Sequence, residues 1–189
     1  MADTVSSATR RARLDELPFT ALGGQPGFAP GAIEPFVEEP RIAVLAYVRA
    51  DGRPGQAPIW YTLVDGALHM STTKGSPKHR ALLKDPRVCL TIQDERPPYR
   101  AVLVDGSVTM TPVDPAGDPT DGIAVRYFGR FGAAEYEKMT AEEYARKGLI
   151  RITLRPTALR GFDNTNAIGA ATLAFMRIRD RLPIPRGWL

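Results

Sequence analysis

The densest chemistry in this sequence lies in one segment, Ser71-Thr72-Thr73-Lys74-Gly75-Ser76-Pro77-Lys78-His79-Arg80. It packs hydroxyl side chains, two lysines, a histidine and an arginine into ten positions, between an expected strand and an expected short helix. Backbone N–H groups at a helix start, with lysine and hydroxyl groups beside them, make an anion site. A phosphate-bearing cofactor suits such a site. The same residues also fit a plain polar loop whose Ser76 caps the helix, and spacing alone does not choose between the two.

Trp60 and Tyr61 occupy adjacent strand positions, so their side chains leave opposite faces of the backbone. One should enter the core and the other a cleft or interface, where an aromatic plane can pack on a ring. His69 and His79 are the only histidines and do not combine with Cys, Asp or Glu at metal-ligand spacing, so no metal site is expected. No nucleophile elbow, Cys/His pair or glycine-rich dinucleotide fingerprint is present. Asp85 and Asp94 read as turn and cap residues rather than an acid–base pair. Arg177, Arg179, Arg181 and Arg186 read either as a solvated helix face or as contacts to an anion or a partner subunit.

The elements that must position these groups are mostly strands. Arg41 to Val48 is almost continuously apolar, the pattern of a strand buried on both faces. Ala50-Asp51-Gly52-Arg53 signals a hairpin into a second strand over Gln56–Val64, and Asp65-Gly66 turns into a third over Ala67–Thr72. Hairpins joined this tightly imply an antiparallel meander. Lys78–Lys84 suits a short helix stopped by Asp85-Pro86. Val88, Leu90 and Ile92 alternate with polar residues, and Arg100–Met110 forms a further strand in which Gly106 marks a bulge or bend. Residues 31–39 suggest a short helix and residues 118–147 a helical stretch broken near Gly132. Leu149–Leu154 and Leu159–Phe162 return to strand, and Ala167–Leu182 reads as a helix. The expected organisation is a mobile N-terminal arm over 1–30, an antiparallel barrel domain with covering helices over 31–165, and a C-terminal helix and tail over 166–189.

Bulk properties fit this plan. A chain of 189 residues with 43% hydrophobic residues suits one domain with one core. The net charge of +4 is mild and does not call for nucleic acid. The single cysteine, Cys89, excludes an internal disulfide and makes a reducing cytoplasm the expected compartment. No apolar run approaches the ~20 residues of a membrane span, and the N-terminal arginines precede no apolar signal segment.

Four ordered pieces resemble the flavin/deazaflavin oxidoreductase superfamily, which includes the pyridoxamine 5′-phosphate oxidases. They are Asp51-Gly52-Arg53-Pro54 leading into Ala57-Pro58-Ile59-Trp60-Tyr61; Ser71 to Lys78; Leu82-Leu83-Lys84-Asp85-Pro86-Arg87-Val88; and Pro98-Tyr99-Arg100-Ala101-Val102-Leu103-Val104-Asp105-Gly106. The resemblance implies a split β-barrel and a homodimer with cofactor sites at the interface. It implies that Ala57–Thr62 and Ser71–Lys78 hold the cofactor, with Lys78 matching the family's phosphate-binding lysine. Pyridoxamine phosphate oxidases carry arginines where this chain has Pro77 and, near the strand start, Pro58, which argues against that reaction. The Pro58–Tyr61 and Pro98–Arg100 segments look more like the branch using the deazaflavin coenzyme F420, a branch that also contains FMN and haem binders.

The resulting expectation is an oxidoreductase moving a hydride between F420, preferred, or FMN and a small organic substrate. Lys78 would take the phosphate, with Lys74 and Arg80 as further anion contacts. Ser71, Thr72 and Thr73 would hydrogen-bond the phosphate or ribityl chain, Trp60 would wall the ring, and Pro58 and His79 would complete the cofactor site. No side chain reads as a dedicated catalyst, so protons would come from solvent or a weak donor such as Tyr61. The alternative is a non-catalytic flavin-, deazaflavin- or haem-binding carrier or sensor.

Overall fold

A computed structural model describes residues 13–113 and 122–179. Its strands are β1 (Phe19–Ala21), β2 (Ala43–Val48), β3 (Pro54–Ile59), β4 (Thr62–Val64), β5 (Ala67–Thr73), β6 (Arg87–Gln93), β7 (Arg100–Pro112) and β8 (Leu149–Asp163). The helices are α1 (Ile33–Glu38), α2 (Pro77–Lys84), α3 (Ile123–Lys147) and α4 (Ala170–Arg179). The result is a mainly β protein with covering helices, built on one eight-stranded sheet.

The strand order is β3-β2-β6-β7-β8-β5-β4, antiparallel throughout, with β1 added in parallel to β8. This corrects the expected single strand over Gln56–Val64. β3 and β4 lie at opposite ends of the path, yet only Trp60 and Tyr61 separate them in the chain. The sheet must therefore curl until its two edges nearly meet, which makes a barrel split between β3 and β4. The break is local: the Tyr61 N–H leaves the ladder and donates to the Tyr127 hydroxyl at 3.3 Å.

Alternation along the strands fills the barrel. Leu45, Leu68, Met70, Leu90, Ile92, Val102, Val104, Ile152 and Leu154 are all fully buried. β2 was expected to be buried on both faces, but Ala43 and Leu45 face the core while Val44 and Ala46 are only half-buried and Ile42 is 44% exposed. A single barrel encloses one face of each strand, so the other apolar face of β2 is left partly open.

The longest strands carry a register shift at the position the sequence marks. β7 and β8 slip between Asp105 and Gly106, leaving Thr157 as the extra residue. A Cβ on Gly106 would lie 2.2 Å from the Arg155 carbonyl oxygen, so only glycine allows this approach.

The segment expected to be a mobile arm is partly drawn into the body. Leu14, in a single 3-10 turn over Leu14–Glu16, is fully buried, and β1 pairs with Leu159–Gly161. The reason is an edge. β5 covers only the first half of β8, Leu149–Leu154, and β1 takes the hydrogen bonds of the second half. Residues 1–12 lie outside the described part.

Helix α3 bends at Gly129 (φ 68°, ψ 173°), three residues before the expected break. α4 covers Ala170–Arg179, three residues shorter at its start than the expected helix because residues 167–169 are non-helical; residues 180–182 of that helix, and Arg186 beyond it, lie outside the described residues.

Candidate functional site

The break between β3 and β4 opens a cleft of about 280 Å³ on the barrel wall. Its lining comes from several separate places in the chain. Pro58 and Ile59 end β3, Trp60 occupies the break, and Ser71, Thr72 and Thr73 end β5. Lys78 stands in the first turn of α2, and Tyr136 and Tyr144 descend from α3. Ile42 and Leu149 close the edges.

The helix start is built as its residue types dictate. Ser76 is the N-cap, its Oγ accepting from the His79 N–H at 3.1 Å and lying 3.0 Å from Thr72 Oγ1. Pro77 is the first helical residue, where its fixed φ suits the helix and its missing N–H costs nothing. The cap and the anion site are therefore compatible, because the turn that satisfies Ser76 also presents Lys78 to the cleft.

Lys78 is half-buried, has no carboxylate partner among the described residues, and burial lowers its pKa below the ordinary lysine value. A buried ammonium without a counter-charge is costly, and an anion bound in the cleft would relieve that cost. The N-terminus of α2 adds its dipole in the same sense. Three hydroxyls at the end of β5 supply neutral donors and acceptors beside it. These groups fit a phosphate-bearing ligand.

Trp60 and Tyr61 divide as their alternation implies. Trp60 faces the cleft, stacked on Tyr127 with ring centroids 5.2 Å apart and 17° between planes. Phe128 and Tyr136 meet the Trp60 ring at 5.0 and 5.3 Å. Tyr61 is fully buried on the other side, and its hydroxyl donates to the Val37 carbonyl at 2.8 Å. Burial raises its pKa further. Tyr61 is thus a structural hydrogen-bonding residue and not the cleft's proton donor. The phenolic hydroxyls that do line the cleft are those of Tyr136 and Tyr144, 2.9 Å apart.

Six of the residues expected to hold a cofactor meet here: Pro58, Trp60, Ser71, Thr72, Thr73 and Lys78. Lys74, His79 and Arg80 do not line the cleft. His79 Nδ1 accepts from the Gly75 N–H at 3.2 Å, and Arg80 Nη1 donates to the Gly75 carbonyl, so both brace the turn. Lys74 is exposed and packs near Gly148. Asp85 ends α2 and pairs with Arg87 at 2.7 Å, which holds its carboxyl down at about 2. Among the described residues no group of three His, Cys, Asp or Glu side chains is placed to hold a metal ion.

The α3 contribution escaped the sequence reading because it joins residues more than sixty positions apart. Arg126 Nη2 donates to the Val37 and Glu39 carbonyls at 2.7 and 2.9 Å, and the Tyr127 hydroxyl donates to the Arg41 carbonyl at 2.6 Å. These bonds pin the first turns of α3 over the break. The kink at Gly129 then redirects the helix, and Tyr136 and Tyr144 reach the cleft from beyond it. The one available signal was three tyrosines, Tyr127, Tyr136 and Tyr144, along one helix.

An antiparallel barrel split at one seam, with a cleft holding an unpaired lysine beside that seam, defines a split-barrel cofactor-binding fold. The family model for pyridoxamine 5′-phosphate oxidase matches residues 29–156, and the chain belongs to that family.

A solved conserved hypothetical protein from Mycobacterium tuberculosis superposes with a TM-score of 0.62 at 22% identity, over 79% of this chain and 97% of the other. A structure named as an F420 reductase superposes with a TM-score of 0.51 at 27% identity, over 69% and 98%. The heme storage protein HutZ from Vibrio cholerae gives 0.51 at 16% identity, over 68% and 90%. The first and third are likenesses of fold alone. No curated protein matches the sequence.

Proposed function

We propose that this chain binds a flavin-type cofactor in the cleft beside Trp60 and acts as a reductase, moving a hydride between that cofactor and a small organic substrate. The observation that carries the reading is Lys78, a half-buried cation without a counter-charge among the described residues, in a cleft walled by an aromatic plane. Lys78 and the N-terminus of α2 would hold the phosphate, and Ser71, Thr72 and Thr73 would bond the phosphate or the ribityl chain. Pro58 and Trp60 would flank the ring. When bound, the cofactor supplies the two-electron chemistry, and the protein binds and orients it and limits access of water.

Coenzyme F420 is preferred over FMN. The 27% identity to an F420 reductase supports this, as does Pro77, which leaves the phosphate loop one cation poorer than in pyridoxamine phosphate oxidases. The protein is further proposed to be a cytoplasmic homodimer whose partner covers the exposed edge at Ile42 and completes the two cofactor sites.

A second reading has its own support: among the described residues no carboxylate, histidine or cysteine lines the cleft. A carrier or sensor that binds the cofactor without turnover needs none. The test is to denature the purified protein and identify any released cofactor by absorbance and mass. The protein is then titrated with F420 and FMN, and the reduced complex is mixed with candidate acceptors. F420 binding with turnover supports the reductase, binding alone supports the carrier, and no binding of either cofactor overturns both.

A further inference from the structure

Beside the cofactor cleft lies a larger one, of about 570 Å³, and Ile42 lines both. At its base Asp94 joins two arginines. Arg41 Nε reaches Oδ1 at 2.9 Å, and Arg100 Nε reaches Oδ2 at 2.6 Å. Both guanidiniums also lie against the Phe36 ring, at 4.0 and 4.7 Å from its centroid.

The two arginines differ in what they have left to give. Arg41 is spent: its Nη1 donates to the Phe36 carbonyl, and its Nη2 bonds Asp94 at 2.8 Å and the mostly exposed Glu39 at 2.7 Å. Arg100 uses only Nε, and its Nη1 and Nη2 have no acceptor among the described residues. Its side chain is 27% exposed, enough to meet a ligand and too little for full hydration. Arg96 is exposed at the rim. The walls are apolar, formed by Pro40, Pro97, Pro98 and Ile42.

We infer that this second cleft binds the carboxylate of a small organic acid, with Arg100 as the principal contact and Arg96 as a rim contact. A guanidinium fixed through Nε presents its remaining N–H groups in a rigid fork that matches a carboxylate. On the lining Arg41, Arg96 and Arg100 stand against Asp94 and Glu95, and Glu39 pairs with Arg41 from outside it, so the site suits one negative charge better than two. Glu95 is exposed, so solvent and salt weaken its repulsion. The proline walls suit an apolar body behind the acid group. Resting on the reading above, the acid is the substrate, held by its carboxylate with its other end at Ile42 facing the cofactor.

The test is calorimetric titration of the full chain with benzoate, its neutral isostere benzamide, and phenyl phosphate. Benzoate should bind at least ten times more tightly than benzamide and more tightly than phenyl phosphate. Charge-assisted bonds of this kind imply that Arg100→Gln weakens benzoate by roughly ten- to a hundredfold, with partial recovery in Arg100→Lys. Arg96→Gln, which breaks no ion pair among the described residues, should weaken it by a few-fold and guards against misfolding of the Arg100 variants. Lys78→Ala should leave benzoate binding unchanged. Equal binding of benzoate and benzamide, preference for phenyl phosphate, indifference to both arginine variants, or loss on Lys78→Ala would overturn the inference. Failure of Lys78→Ala to affect F420 or FMN would instead overturn the reading of the first cleft and leave this one standing.

Discussion

Replacing Lys78 with alanine should separate binding from stability in opposite directions. In the free protein the ammonium is half-buried and has no carboxylate partner among the described residues, and burial lowers its pKa from the ordinary 10.5. A lysine whose folded pKa is depressed penalises the fold while it is charged. That penalty is fully present below the folded pKa and disappears as pH rises past 10.5. Lys78→Ala should therefore not destabilise the cofactor-free protein at neutral pH. Its stability should also lose the rise with pH that the parent shows toward 10.5.

Binding should suffer. One charge-assisted phosphate contact contributes roughly 1.5–3 kcal/mol, or about a tenfold to hundredfold change in affinity. The half-buried setting of Lys78 protects that contact from salt better than the exposed Lys74 and Arg80 could manage. The assay is calorimetric titration with F420 and with FMN at two salt concentrations, beside thermal unfolding of both free proteins across pH 7–10. A variant that binds both cofactors as tightly as the parent refutes the phosphate assignment. A variant that binds weakly but also unfolds much earlier when free shows that Lys78 is structural.

Gly129→Ala should destabilise the protein by about 1–3 kcal/mol, because φ 68° with ψ 173° is a conformation essentially reserved for glycine. The added methyl meets nothing within 4 Å, so calorimetry should report the backbone strain alone, and an unchanged Tm would refute it. Tyr61→Phe should cost about 1 kcal/mol by removing one buried hydrogen bond to the Val37 carbonyl, which keeps its Arg126 donor, yet leave the pH profile of any turnover unaltered; a shifted profile would return Tyr61 to the chemistry. Burial, with help from a hydrogen bond to Asp105, pushes the Cys89 thiol up to about 11. Alkylation followed by mass spectrometry at pH 8 should then run roughly a hundredfold slower than for an ordinary cysteine. Fast labelling in the folded protein would contradict that environment.

Local residue types determined most of the fold. The alternation of Val88, Leu90 and Ile92, the Asp65-Gly66 turn, Ser76 before Pro77, and Gly106 in a long strand each express a local steric or hydrogen-bonding rule that holds wherever the segment lies. The resemblance to the flavin/deazaflavin family, not these rules, grouped Pro58, Trp60, Ser71, Thr72, Thr73 and Lys78 in one expected site, and the fold places all six on one cleft.

Tertiary structure decided what depends on closure. Nothing local distinguishes Gln56–Val64 as one strand from two. Only the curl of the sheet, which parts β3 from β4 at Trp60, makes the seam and hence the cleft. His79 and Arg80 share their loop with Lys78 but spend their polar atoms on Gly75, a choice set by the path of the turn and not by composition. Tyr136 and Tyr144 join the site because Arg126 and Tyr127 fasten α3 to carbonyls at Val37, Glu39 and Arg41. Those contacts span more than eighty residues, and a hydrogen bond of that reach leaves no period or spacing in the sequence to be read.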